Sequence, residues 1–382
     1  MQSSPKPDAI HLWFPNLFEF KGGIQVYLLD WLNALVRLPR SRPWVVFDKL
    51  DRAEPAVNPY TDHVAFWFSG RVPKPLQTLH FAWSLVREAL RQRPRLIICG
   101  HLNFAPVALL ISRLTGIPYW IVVYGVDAWS VRDRLKQAAL HRAERVVSIS
   151  GYTRDRLIAE QHLPAEVIPL LPVTFDASRF AIAPKPAHLI YRYGLHPDQP
   201  IILTVTRLSR EDGYKGYDQI LRALPQIRQQ VPNVHYILVG KGDDRPRVER
   251  LIAELGLQDC VTLTGFVPDR ELNNHYNLCD VFVMPSKGEG FGIVYLEALA
   301  CGKPTIGGNQ DGAIDALQHG ELGVLVDPDD VQAIAQVTTQ VLLKTCDHPL
   351  LYQPERLRQR VIEIFGFERF QATLADLLKG YL

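Results

Sequence analysis

The 382-residue chain holds no uninterrupted run of about 18 or more apolar residues, which excludes an obvious membrane-spanning helix. Its opening, MQSSPKPDAIHLWF, lacks the long apolar region of a secretory signal, so the expected location is the cytoplasm or the inner face of a membrane. Cysteine is sparse: Cys99, Cys260, Cys279, Cys301 and Cys346 are odd in number, scattered and mostly set in apolar segments. That pattern offers neither a disulfide framework nor a metal-ligand spacing. Internal repeats and low-complexity tracts are also missing.

What is present is the composition of a globular protein, 47% hydrophobic and 21% charged, with more residues than one ordinary core accommodates. Formal net charge is only +2, but it is unevenly divided. Residues up to 180 carry roughly seven more Lys and Arg than Asp and Glu, and the remainder is acidic by about five. The excess gathers in VRLPRSRPW (Val36 to Trp44), REALRQRPR (Arg87 to Arg95) and VRDRLKQAALHRAERV (Val131 to Val146). Such a surface suits an anionic acceptor or an anionic membrane as partner. Nucleic acid is not an expected partner, because no recognised binding module accompanies the basic runs.

Strand and helix patterns alternate along the chain. Strand-like runs at Ile10 to Phe14, Pro43 to Phe47, Val64 to Phe68, Leu96 to Cys99, Tyr119 to Val123 and Val146 to Ile149 are interleaved with helical patterns. The helices read at Val26 to Arg37, Leu76 to Gln92, Ala105 to Thr115 and Val131 to Arg142. This is the rhythm of a parallel sheet with helices on both faces. A proline-rich, aperiodic stretch follows Ile168, and a second alternating set then runs from Ile201 to Val326. The expected organisation is a first domain over residues 1–175, a linker over 176–195, a second domain over 196–360 and a terminal segment, 361–382, whose helix crosses back to the first domain. Two doubly wound α/β domains facing across a cleft result.

The chemistry concentrates in PSKGEGFGIVYLEALACGKPTIGG. An apolar strand (Val281 to Met284) leads into a glycine-rich turn and then into a helix, so backbone N–H groups stand free at a helix N-terminus, where a phosphate fits. Glu289 lies in the turn, and Glu297 lies eight residues on. The two carboxylates can accept from different parts of one hydroxyl-rich ligand. Upstream, IILTVTRLSREDGYKGYDQILRAL reads as a buried strand, a loop with Arg207 and Lys215, and an amphipathic helix from about Asp218. Ligands of parallel sheets sit at the carboxyl ends of strands, where both loops fall. Two cations and two carboxylates then converge, the cations suited to a diphosphate leaving group and the carboxylates to sugar hydroxyls. A nucleotide sugar has those parts.

With these residues in place, the chain resembles retaining glycosyltransferase family 4, the group 1 glycosyl transferases of the GT-B fold. The family's Glu-x7-Glu pattern is matched by Glu289 and Glu297, its Arg and Lys by Arg207 and Lys215, and its glycine pair by Gly22 and Gly23 in KGGIQVY. The resemblance implies two Rossmann-like domains closing over a nucleoside diphosphate sugar, and transfer with the anomeric configuration kept. It implies a donor-binding set of Gly22, Gly23, Gly240, Phe266, Val267, Gly290, Phe291, Gly292, Ile293, Val294 and Glu297. Many relatives carry His-Gly where this chain has Tyr124-Gly125, so Tyr124 and the nearby Asp127 stand as candidates at the sugar or acceptor, joined by His101 in IICGHLNF. No protein nucleophile and no metal or other cofactor is expected, since Arg207 and Lys215 take the charge-stabilising part. The expected partners are a UDP-glucose or GDP-mannose type of donor and a carbohydrate, lipid-linked or phosphorylated acceptor, with a sucrose-phosphate-synthase-like transfer to fructose 6-phosphate as one alternative. A GT-B-like sugar-nucleotide epimerase or a non-catalytic sugar-nucleotide binder is the alternative of another class.

Overall fold

The structure is a computed structural model that describes residues 9–20, 22–39 and 43–382, with the backbone alone at residue 212. Lys21 of the KGGIQVY motif and the centre of the basic run Val36 to Trp44 lie outside the described residues. The chain divides into two compact units, Met1–Val173 with Phe367–Leu382, and Thr174–Gly366.

In the first unit six strands form one parallel sheet: β1 (Ile10–Phe14), β2 (Trp44–Asp48), β3 (Val64–Phe68), β4 (Leu96–Cys99), β5 (Tyr119–Val123) and β6 (Arg145–Ser148). Their spatial order is β3-β2-β1-β4-β5-β6, which reverses direction between β1 and β4. Helices α1 (Gly23–Leu35), α2 (Lys74–Gln92), α3 (Ala105–Thr115), α4 (Arg134–Arg142) and α5 (Gly151–Gln161) connect them. One face of the sheet packs with α2 to α5 around Trp13, Phe47, Phe81, Ile97, Ala108, Ile121 and Leu157. Residues of the other face, such as Leu12, Val46, Ile98 and Val122, are equally buried, so central strands read as continuous apolar runs. Helix α4 starts later than its apolar pattern suggests because Asp133 caps it, accepting from the N–H groups of Leu135 and Lys136.

The second unit repeats the plan after α6 (Ala187–Arg192). Its sheet has the order β12-β11-β10-β7-β8-β9. The strands are β7 (Ile201–Val205), β8 (His235–Val239), β9 (Val261–Gly265), β10 (Val281–Met284), β11 (Thr305–Gly308) and β12 (Val324–Val326). Between them run α7 (Tyr217–Gln230), α8 (Arg245–Glu254), α9 (Asp269–Leu278), α10 (Ile293–Ala300) and α11 (Ala313–Ala316), followed by α12 (Val331–Leu342) and α13 (Pro354–Phe365). The strand order turns between β7 and β10, the two strands that precede the Arg–Lys loop and the glutamate turn.

The aperiodic segment after residue 175 belongs to the second unit. Asn277 accepts from the N–H of Ala183 and donates to the carbonyl of Ala181, both at 2.8 Å, while Arg358 donates to Ala177 O at 2.8 Å and Ala300 O at 2.6 Å. The last helix, α14 (Phe367–Leu378), belongs to the first. Phe370 packs edge-on against Tyr27 at 5.7 Å, Arg37 lies over the Phe367 ring at 4.5 Å, and Arg145 donates to Leu377 O at 3.2 Å.

Candidate active site

In an open parallel sheet the ligand crevice lies outside the carboxyl ends of the strands where the order reverses. In the second unit this point is flanked by the loops after β7 and β10. It brings Lys215 and Glu289 together as an ion pair, each side chain 14% exposed, and Lys215 Nζ also lies 5.1 Å from the centre of the Tyr214 ring. Arg207, exposed in the same β7 loop, sits two residues beyond the end of the strand.

The backbone of Glu289 is fixed from behind. Its N–H donates to Asp311 Oδ2 at 2.7 Å, and its carbonyl accepts from the N–H of Gly312 at 2.9 Å. Asp311 is fully buried and also accepts from the Ser286 hydroxyl at 2.7 Å and the Ala313 N–H at 2.9 Å. Burial pushes its carboxyl up to about 7, against the pull of those donors. Sequence reasoning missed Asp311; an Asp placed between a strand's glycines and a helix start, as in TIGGNQDGAID, is the signal for such a brace.

From Glu289 the chain enters Gly290-Phe291-Gly292 and the first turn of α10, at Ile293 and Val294. No side chain caps this helix, so its first N–H groups are available to an anion. The Phe291 ring itself is buried, edge-on to Phe365 at 5.4 Å, which leaves only its backbone to a ligand. Glu297 is half-buried on α10, its Oε2 accepting from the buried Tyr276 hydroxyl at 2.6 Å. Tyr276 was not singled out in the sequence.

The loop after β8 crosses the β7 loop closely enough that only glycine fits. Gly240 has φ +146°, and a Cβ there would lie 1.7 Å from the Thr206 carbonyl oxygen. Leu208 N–H donates to Lys241 O at 3.1 Å, which locks the two loops together. At the end of β9, Phe266 is 64% exposed with Lys241 Nζ 4.8 Å from its ring centre, while Val267 is buried.

The remaining sequence candidates lie in the first unit, also at the strand-order reversal. Gly22 precedes and Gly23 begins α1, and Gly23 faces open space. Tyr124 donates its hydroxyl to Gly100 O at 2.9 Å, and its ring meets Tyr27 edge-on at 5.7 Å. Asp127 Oδ1 accepts from the Tyr124 N–H at 2.9 Å, whereas the buried Oδ2 has no hydrogen-bond partner among the described residues. Burial pushes Asp127 up to about 7. His101 Nδ1 accepts from the Asn103 N–H at 3.1 Å; burial, then Lys136 and Lys49, lower its value to about 4, so the ring is neutral near pH 7. The His101 and Tyr124 rings lie 6.5 Å apart.

Comparison with known proteins gives this arrangement its family. The model of Glycosyltransferase Family 4 matches residues 21–179, and that of Glycosyl transferases group 1 matches residues 190–361. A GDP-mannose-dependent alpha-(1-6)-phosphatidylinositol monomannoside mannosyltransferase of Mycolicibacterium smegmatis is 35% identical over 299 residues, 72% of this chain and 74% of that protein. An alpha-D-kanosaminyltransferase of Streptomyces kanamyceticus is 27% identical, over 71% of this chain and 72% of its own. The chain belongs to the family 4, group 1 glycosyltransferases. Its fold is GT-B: HepE from Anabaena, solved with UDP and glucose, matches with a TM-score of 0.76 at 21% identity, covering 97% of this chain and 99% of its own. Sucrose-phosphate synthase from Thermosynechococcus elongatus matches with 0.79 at 22% identity, covering 97% and 98%. At those identities the likeness speaks for the fold.

The brace under Glu289 is open to a direct test. Asp311→Asn turns one accepting oxygen into a donor facing donors, and is expected to lower stability by about 1–3 kcal/mol in urea unfolding. Because the folded value, about 7, lies above the ordinary 3.8, this group's contribution to wild-type stability falls as pH rises from 4 to 7. Unfolding measured across that range should show a smaller fall in the Asn variant, and equal slopes would contradict the assignment.

Proposed function

We propose that the protein transfers a hexose from a nucleoside diphosphate sugar to an acceptor hydroxyl with retention of anomeric configuration. The observation that carries this reading is the Lys215–Glu289 pair at the carboxyl ends of adjacent strands, next to the uncapped first turn of α10. The donor diphosphate takes Lys215, Arg207 and the first-turn N–H groups of α10, which stabilise the charge that develops as it leaves. That part is taken by side chains rather than by a metal ion.

Glu289, released from Lys215 by the incoming diphosphate, accepts from hydroxyls of the donor sugar and fixes its orientation. Glu297, held by Tyr276, accepts from the ribose. The exposed Phe266 ring and the backbone at Gly240 and Val267 lie along the base, with Lys241 beside them. Departure and attack take place on one face of the sugar: the C–O bond to the diphosphate breaks as the acceptor oxygen bonds to the anomeric carbon, and a donor phosphate oxygen takes the acceptor's proton. Gly22 and Gly23 let a ligand approach the backbone. The oxygen of Tyr124, whose O–H donates to Gly100 O, acts as acceptor, and Asp127, which accepts from the Tyr124 N–H through Oδ1, positions it, with neutral His101 beside them.

Of the donors, GDP-mannose is favoured by the 35% identical mannosyltransferase. The sucrose-phosphate-synthase reading has the shared fold behind it. Retention of function as a transferase rather than an epimerase requires that the sugar appear on an acceptor.

The first unit rests on an anionic membrane through α2. Leu76, Leu79, Trp83 and Leu90 recur at helical spacing along one face and are 44–71% exposed. Arg87 lies over the Trp83 ring at 4.6 Å, and the helix's one acid, Glu88, is buried between Arg87 and Arg91. The exposed face is therefore apolar with a basic margin, as interfacial helices are. No helix among the described residues is long and apolar enough to cross a membrane.

Lys215→Ala is expected to lower kcat about 10²–10³-fold, as loss of a charge-stabilising donor does, and also to lower the melting temperature, because it leaves Glu289 unmatched; a folded variant with unchanged kcat removes the leaving-group role. Nuclear magnetic resonance of the product should show the donor's anomeric configuration, and the opposite anomer ends the retaining mechanism. In vesicle flotation the wild type is expected to rise with phosphatidylglycerol-containing vesicles and to be released by high salt, and Leu79→Glu with Trp83→Glu should leave it at the bottom. Equal flotation of the variant would disconnect α2 from the bilayer.

A further inference from the structure

The loops at the carboxyl ends of β1, β2 and β3 in the first unit are drawn together beside the start of α2. Asp51, itself buried, accepts from the N–H groups of Leu17 and Phe18, both at 2.7 Å, and of Glu19 at 3.1 Å, tying the loop after β1 to the loop after β2. The loop after β3 closes on the same place through Gly70, whose N–H donates to Asp51 O at 3.0 Å. A Cβ at residue 70 would lie 2.2 Å from Leu50 O and 2.4 Å from Asp51 O, so a side chain there would force the loops apart. Arg71 Nε then donates to Arg52 O at 3.0 Å.

The loops line an open pocket of about 580 Å³ whose wall includes Arg52, Arg71, Lys74, Gln77 and Glu19. Three cations face one carboxylate, and that carboxylate already accepts from the Arg52 N–H at 2.8 Å. Among the described residues none of Arg52, Arg71 and Lys74 forms an ion pair, in a chain where many arginines do. The N-terminal end of α2, 19 residues long and without a side-chain cap, adds its partial positive charge to the same side. Like charges gathered around a pocket repel until an anion enters.

We propose that Arg52, Arg71 and Lys74 form an anion site in the first unit that takes a phosphate group of the acceptor. The acceptor role rests on the transferase reading above; the anion site does not. The donor diphosphate has its own cations in the second unit, so this site serves a second anion. The shared ligand chemistry is a phosphate ester, whether on a soluble sugar or on a lipid headgroup. Arg71 and Arg52 offer planar donor forks for such oxygens, and Lys74 supplies a point charge.

The test is calorimetric titration of the full chain with inorganic phosphate, in the presence of saturating GDP or UDP so that the donor site is closed. One phosphate per chain is expected for the wild type, and about tenfold or weaker binding for Arg71→Gln and for Arg52→Gln, each residue supplying charge-assisted hydrogen bonds. Lys74→Glu, a change at an exposed position, should abolish binding while circular dichroism stays that of the wild type. Wild-type-like phosphate binding in all three variants overturns the site. If neither nucleotide binds, the donor assignment fails, and the phosphate titration can still be read by itself. Competition then finds the source: displacement of phosphate by fructose 6-phosphate but not fructose marks a soluble acceptor, and displacement by phosphatidylinositol vesicles but not phosphatidylcholine vesicles marks a lipid. Displacement by neither overturns the acceptor role.

Discussion

A cation from one loop and a carboxylate from the next, meeting where the strand order of the second sheet reverses, is the interaction on which the site depends. Two charges drawn largely out of water must be matched to each other, because an unmatched partner at such a place is costly. Lys215 and Glu289 satisfy that requirement in the free protein, and the same requirement makes them responsive. On the proposed reading, a diphosphate offers Lys215 a stronger partner than one carboxylate, and sugar hydroxyls offer Glu289 donors in exchange. The pair thus holds each group in position before the donor arrives without committing either to a permanent structural task.

That readiness needs a rigid support, and the second unit supplies it through hydrogen bonds rather than apolar packing. Asp311 gathers the end of β10, the glutamate turn and the start of α11 on one buried carboxylate. Tyr276 does the same for Glu297 from α9. Both supports are polar groups in the interior, where each unmade bond would be expensive, and both are satisfied. The consequence is directional precision at the backbone of Glu289 and the side chain of Glu297.

Much of this was legible in the sequence, because local patterns carried it. Apolar runs bounded by glycine gave the strands, and the strand-loop-helix context of Arg207, Lys215, Glu289 and Glu297 placed these residues at the carboxyl ends of β7 and β10, where Lys215 and Glu289 meet. What could not be read depends on partners distant along the chain. The segment 176–195 looks like a linker by its prolines and lack of period, yet Asn277 and Arg358 bind its backbone into the second unit. Asp311 is 22 residues from the N–H it accepts. Tyr124 presents a hydroxyl in sequence, but the structure gives the proton to Gly100, a contact across β4 and β5 that no local pattern announces.

The charge of the first unit follows from where its acids go. Asp48, Asp51 and Glu88 are buried. Asp51 is spent on three backbone N–H groups, Glu88 on Arg87, Arg91 and Gln92, and Asp48 is pushed up to about 8 by burial and by the neighbouring Asp51, so at neutral pH it is mostly uncharged. Asp127, raised to about 7, is only partly ionised there. Asp48 and Asp127 therefore count in full in the formal charge but carry only part of it at neutral pH. The first unit is therefore somewhat more positive than the sequence count, and its exposed cations without an ion pair among the described residues include Arg52, Arg71 and Lys74, beside the start of α2. The second unit spends its acids differently, pairing Glu289 with Lys215, bonding Glu297 to Tyr276 and pairing others on the surface, as in Arg228–Asp259 and Arg360–Glu321. An anion approaching the first unit meets attraction over a distance of about a Debye length, whereas many cations of the second unit are already matched to neighbouring carboxylates.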